Sequence, residues 1–285
     1  MSKKTHLLII DPQNDFCDLP SGFLPQIAGS TVAPALPVAG SHADMLRVAG
    51  IINRGGGGLS GISVTLDAHH RIDIAHPPFW KMNNGSDVSP FTQISAGEVR
   101  AGKYIPRIPG ATGRVINYLD ALESTGRYVH MVWPVHCEIG SWGQNVHAAV
   151  RSAYNLWEVA RAVNVTKILK GTNPWTEHYS AIKAEVPDPA DNATQPNQAF
   201  IEQLQGADCI YITGEAGSHC VKATVEHIVE NFSAKEIGKL VLVSDCMSPV
   251  AGFEPQYRKF TDDMRGRGIR FADSATVIDE LLANT

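Results

Sequence analysis

The chain has 285 residues, 44% of them hydrophobic and 19% charged, the balance of a folded globular protein, which excludes intrinsic disorder. Its 24 Lys and Arg against 29 Asp and Glu leave a net charge of -5, which argues against nucleic acid as a partner. No stretch approaches about 18 consecutive apolar residues, so no membrane span is expected, and five scattered cysteines without paired spacing point to a reducing compartment, with the cytoplasm as the expected location.

Strand-like and helix-like segments then alternate along the chain. Leu7–Ile10 is a short apolar run that reads as a buried strand, too short for a signal-peptide core, and it ends at Asp11. Residues 17–41 are rich in Pro, Gly, Ser and Ala and read as a long loop. Met45, Val48, Ile51 and Ile52 share one helical face that opens near Ser41 or Asp44 and stops at Gly55–Gly58. That glycine run lacks the Gly-Lys-Ser/Thr of a phosphate cradle and is read as a loop. Ile62–Leu66 is a second strand, ending at Asp67. Residues 71–112 have many Pro and Gly and little periodicity, the character of a lid, a binding loop or an oligomer contact. Helices are expected over Val115–Leu122, Val146–Val163, Ala199–Leu204, Val221–Val229, Tyr257–Met264 and Val277–Leu282. Strands are expected over Tyr128–Trp133, Val165–Leu169, Cys209–Thr213 and Leu240–Ser244, with an edge strand at Ile269–Phe271. Continuous apolar strands alternating with helices imply an α/β fold: a mostly parallel sheet of about six strands, covered by helices on both faces. No repeat or linker interrupts it, so residues 1–285 are read as one domain with insertions near 17–37 and 71–112.

Open parallel sheets bind ligands outside the carboxyl ends of their strands. The residues just past each expected strand are Asp11, Asp67, Trp133 to His136, Lys170, Gly214 to Cys220, and Asp245. Among them are a carboxylate, an ammonium and a thiol. A nucleophilic thiol needs a base or a nearby cation, and Asp11 and Lys170 supply one of each. Cys220 also opens a helix, where backbone amides favour negative charge. Taken singly, each residue has a plainer role: a small core cysteine, an Asp that caps a helix, a solvated Lys.

Three segments resemble the nicotinamidase/isochorismatase-like cysteine hydrolases. Leu8-Ile-Ile-Asp-Pro-Gln-Asn-Asp-Phe-Cys17 is similar to the family's opening strand, with Asp11 at the catalytic aspartate. Lys170-Gly-Thr-Asn-Pro174, followed by His178-Tyr-Ser-Ala181, is similar to the segment of the catalytic lysine. Gly214-Glu-Ala-Gly-Ser-His-Cys-Val221 is similar to the segment of the nucleophile, placing Cys220 there. The resemblance implies the isochorismatase-like hydrolase fold. It implies a triad in which Cys220 attacks an amide, Asp11 moves the thiol proton to the leaving amine, and Lys170 holds both electrostatically. It further implies an oxyanion hole from the backbone amides of Ala216 and Cys220, preceded by a cis peptide at Glu215–Ala216.

Asp67-Ala-His69 and Trp133-Pro-Val-His-Cys137 are similar to the family's metal segments, which implies Asp67, His69 and His136 as ligands of a divalent ion such as zinc, manganese or iron, with His70 and His76 as near substitutes. The alternative is a polar pocket wall without metal. Phe16, Trp133 and Tyr179 are the residues expected to face a flat substrate, with core packing as the plainer role of the aromatic positions. Cys220 argues against the vinyl-ether-cleaving isochorismatase branch, which lacks that thiol. The function expected is hydrolysis of a small carboxamide, nicotinamide first, to the acid and ammonia through a thioester. The runner-up is a ureide or carbamoyl amidohydrolase with the same triad, and the third alternative a non-catalytic member of the fold that binds a ligand or a protein. The partners expected are the small-molecule amide and further copies of the chain in a homo-oligomer.

Overall fold

The computed structural model describes residues 2–285. Its main sheet has six parallel strands: β1 (Thr5–Ile10), β2 (Gly61–Asp67), β3 (Thr166–Lys170), β4 (Cys209–Gly214), β5 (Leu240–Val243) and β6 (Arg270–Ala272). They lie in the order β6-β5-β4-β1-β2-β3. All six residues of β1 are buried, because alternate side chains enter two separate cores. Leu8 and Ile10 pack with Ile210, Ile212, Leu240 and Leu242 under helices α5 (Gln198–Gln205), α6 (Cys220–Asn231) and α8 (Glu254–Gly266). Leu7 and Ile9 pack with Ile62, Val64, Val241 and Val243 under α1 (Ser41–Gly55), α4 (Ala148–Arg161) and α9 (Ser274–Leu282). The result is three layers, helix on sheet on helix. No helix among the described residues is long and apolar enough to cross a membrane, and all five cysteines are free thiols.

The expected strand at Tyr128–Trp133 is a correction. Only His130–Val132 is extended, and it pairs antiparallel with Thr92–Ile94 rather than joining the main sheet. The position beside β2 is taken by β3, and the sixth place in the sheet by the short edge strand β6. Met131 of this run packs in the core of Leu8 and Ile10, while Val132 serves a third core instead. There Phe79, Trp80, Ile94 and Val99 from the 71–112 stretch pack on Val115, Leu119 and Leu122 of α3 (Thr112–Ser124). That stretch also holds a ribbon of Trp80–Met82 with Tyr104–Pro106 and a short helix, α2 (Ala96–Arg100), closed by a Ser95–Glu98 capping box. It is therefore a packed substructure and not a bare loop.

The strand order reverses at β1, with β4 on one side and β2 on the other. The crevice outside the carboxyl ends of these strands is where such sheets place their chemistry. The two chains approach closely there. A Cβ on Gly214, at φ +122°, would lie 2.0 Å from the carbonyl oxygen of Ile10, so only glycine ends β4 at this point.

Candidate active site

Asp11, the first residue after β1, is fully buried with φ +44°. Thr65, inside β2, grips it twice: its hydroxyl donates to Asp11 Oδ1 at 2.5 Å, and its oxygen accepts the Asp11 N–H at 3.0 Å. Lys170 ends β3 and is also buried. Its Nζ stands 2.8 Å from Asp11 Oδ2, 3.1 Å from Asp67 Oδ1 and 3.7 Å from Cys220 Sγ. Cys220 begins α6, so its own N–H is one of the donors a helix start leaves without an intrahelical acceptor. The structure thus brings Asp11, Lys170 and Cys220 to one point from three strand ends, and the peptide Glu215–Ala216 is cis.

Burial pushes the Cys220 thiol well above its ordinary range, with Asp11 pushing the same way, and the opposing pull of Lys170 does not overcome it. The resting group is therefore a thiol beside its base and not a preformed thiolate. Burial raises Asp11 against the pull of Lys170. For Lys170 burial works against the charge, but Asp11 and Asp67 outweigh it and hold the ammonium well above its usual value.

Asp67, at the end of β2, joins this group to a second one. Its Oδ2 faces His69 Nε2 at 3.2 Å and His136 Nε2 at 3.5 Å, and the three ligand atoms lie within 4.8 Å of one another. Both imidazoles are turned by their other nitrogens: His69 Nδ1 donates to Asp73 at 3.1 Å, and His136 Nδ1 to the Pro134 carbonyl at 2.8 Å. That leaves both Nε2 atoms converging on the carboxylate, the outer-sphere arrangement that orients metal-bound histidines. Burial opposes charge on His69, yet Asp67 and Asp73 outweigh it and hold the ring well above its ordinary value. One oxygen and two nitrogens, all buried, fit a divalent ion such as zinc. Of the two substitutes, His76 is buried with its ring against both histidines, while His70 is exposed and presents only its carbonyl, to His76 Nδ1. His70 is thereby removed from the candidate ligands.

Phe16, Trp133, Tyr179, Ala216, Cys220, Asp67 and His136 all line one cavity. Trp133 Nε1 donates to the Tyr179 hydroxyl at 3.0 Å, and Phe16 leans on His136 with ring centroids 5.4 Å apart. The free space is only about 30 Å³, room for a water but not for an aromatic ring. Trp133, Tyr179 and His219 also line a neighbouring chamber of about 210 Å³.

Several residues the sequence did not single out serve the site. Besides Thr65, Gln13 brackets Asp67, accepting its N–H at 2.7 Å and donating to its carbonyl at 2.8 Å. Glu177 lines the cavity, and burial raises its carboxyl to about 8. Its position seven residues past Lys170 was the one available signal. Asp245, by contrast, accepts from the backbone and hydroxyl of Ser274 at 2.7 Å each and anchors the start of α9.

No family model and no curated protein sequence matches the chain. Solved structures do. The yeast nicotinamidase bound to the inhibitor nicotinaldehyde is 18% identical, with 94% of this chain and 99% of that one covered at a TM-score of 0.62. A nicotinamidase/pyrazinamidase of Acinetobacter baumanii is 18% identical over 96% and 98% of the two chains, at 0.60. The pyrazinamidase of Pyrococcus horikoshii in complex with zinc is 18% identical over 95% and 99%, at 0.52. At such identity the likeness establishes a shared fold over nearly the whole chain.

Proposed function

We propose that residues 1–285 act as one hydrolase domain of the nicotinamidase type, cleaving a small carboxamide to its acid and ammonia. The observation that carries this is the Lys170 ammonium buried between Asp11 and Cys220 beside a small, aromatic-walled cavity. The nicotinamidase fold and the Asp67–His69–His136 cluster support it.

The resting thiol gives its proton to Asp11 as Sγ attacks the amide carbon, and Lys170 stabilises the thiolate that forms. The amides of Ala216 and Cys220 receive the carbonyl oxygen as it becomes negative. Protonated Asp11 returns the proton to the departing nitrogen, which leaves as ammonia, and a thioester remains on Cys220. Water then attacks that thioester. Asp11 takes the water's proton and passes it back to the sulfur, and the acid departs. Asp67, His69 and His136 would hold a divalent cation, which supplies a positive anchor for a substrate lone pair or for water. Phe16 and Trp133 would flank the flat ring. The free thiols fit a cytoplasmic enzyme, and assembly as a homo-oligomer, read out by light scattering, belongs to the same proposal.

Ammonia release from nicotinamide, pyrazinamide, biuret, a carbamoyl amine and maleamate tests the reading. Nicotinamide or pyrazinamide should be the best substrate. Cys220→Ala should be inactive but folded, and intact-mass measurement with a slow substrate should show an acyl adduct on the wild type alone. Full activity in Cys220→Ala would end the cysteine mechanism.

A further inference from the structure

Glu215 is the first residue after β4, yet its side chain turns away from the cavity. It is fully buried. Its Oε2 accepts the N–H of Ser248 at 3.2 Å, while Oε1 has no donor facing it. Its carboxyl converges instead with that of Asp44 on α1, since Ser248 serves both through its N–H and its hydroxyl. Asp44 is committed on its other sides: it accepts from the Ser248 hydroxyl at 2.6 Å and pairs with Arg47 at 2.5 Å. Two buried carboxyls in contact do not both ionise, and one proton between them turns repulsion into a hydrogen bond. Arg47 already pairs with Asp44, so Glu215 is the carboxyl without a cation and takes the proton.

We propose that Glu215 is a positioning residue for the oxyanion loop: as a neutral acid it donates to Asp44 and accepts from Ser248, tying residues 215–218 to α1 and to the turn after β5. This rests on the amidase reading of Cys220 and adds the element that aims its oxyanion donors. The same face of the loop is stapled elsewhere. The Gly217 N–H donates to the Ser248 carbonyl at 2.7 Å, and the Val250 N–H to Ser218 Oγ at 3.0 Å. A Cβ on Gly217 would lie 2.6 Å from the Tyr257 ring, so the loop is clamped from that side too. Burial, together with Asp44 and the more distant Asp18, raises the Glu215 carboxyl well above its ordinary value, in keeping with the neutral form, and the Ser248 N–H is the opposing influence. Asp18, Asp44, Arg47, Asp245, Tyr257 and the thiols of Cys17 and Cys246 are the charged or titratable neighbours of this cluster.

Two substitutions test it. Glu215→Gln keeps a donor and an acceptor and should stay within about threefold of wild type. Glu215→Ala frees the loop. A small misplacement of a catalytic group costs on the order of 100-fold, so kcat should fall by about that factor with KM little changed. Alkylation of Cys220 by iodoacetamide builds no oxyanion, so its rate should stay near wild type in both variants. Wild-type kcat in Glu215→Ala would overturn the proposal. So would alkylation falling in step with turnover, or Glu215→Gln as impaired as Glu215→Ala. Infrared spectroscopy provides a readout independent of substrate and of the folding of the Ala variant: the wild type at pH 7 should show a carboxylic-acid C=O band that Glu215→Gln lacks, and identical spectra would refute the neutral acid. If the wild type hydrolyses no amide, the amidase reading fails separately while the infrared result still decides the state of Glu215.

Discussion

Replacing Lys170 by Met removes the one ammonium at the meeting point of two carboxylates and a thiol while keeping most of the side-chain volume. Its Nζ lies 3.7 Å from Cys220 Sγ. At an effective dielectric constant of about 20, a unit charge at that distance favours the thiolate by about 4 kcal/mol. With about 1.4 kcal/mol per decade, turnover should fall by up to about 10³-fold. Stability should fall as well, since Lys170 also stands 2.8 Å from Asp11 and 3.1 Å from Asp67. Removing one partner of a buried ion pair costs about 3–5 kcal/mol, which for a chain of this size lowers the melting temperature by roughly 10 °C. The assay has three parts: ammonia release, iodoacetamide alkylation at neutral pH, and a thermal melt. All three should move together, with alkylation slowed because the thiol is harder to ionise. A Lys170→Met protein that turns over within about threefold of wild type, or melts with it, would refute the assigned role.

The remaining expectations concern the metal cluster and the base. Elemental analysis of active protein should find about one divalent ion per chain, and His136→Ala should lose it while keeping the fold; active protein without stoichiometric metal would make the cluster a polar wall instead. Thr65→Val keeps the shape of β2 but removes the hydroxyl that aims Asp11. A hydrogen bond to a charged group is worth about 1.5–3 kcal/mol, so kcat should drop roughly 10- to 100-fold with KM nearly unchanged; an equal change in KM would assign Thr65 to substrate binding.

The sheet was legible in the sequence because its central strands β1, β4 and β5 are short apolar runs buried on both faces, and because chemistry-bearing residues sit just past the strand ends. Asp11, Asp67, Lys170 and the 214–220 segment follow from that rule alone. Two features were not legible. The run at Tyr128–Trp133 has strand character, but whether it joins a sheet or pairs locally depends on Thr92–Ile94, which has too weak a pattern to announce itself. The residues that orient the site also carry no local mark. Thr65 is one more β-branched residue in a strand, and Gln13 one more polar residue in a turn; only register makes the first face Asp11 and the second bracket Asp67. The choice between His70 and His76 likewise turns on a local chain path that spacing does not reveal.

Asp67 explains why the triad and the cation cluster sit together. Its Oδ1 serves Lys170, and its Oδ2 serves His69 and His136. Burial alone would raise its carboxyl, but His69 and Lys170 outweigh it and hold Asp67 well below its ordinary value, so it stays ionised. Its charge therefore counts toward both groups at once. Without Asp67, Lys170 would answer to Asp11 alone and bind the base more tightly, and the two imidazoles would lose their common oxygen. The packing enforces this sharing. Gly171, at φ +87°, follows Lys170 directly, and a Cβ there would come within 2.8 Å of Asp67 Oδ1. The chain gives up a side chain next to Lys170 so that one carboxylate can serve both groups.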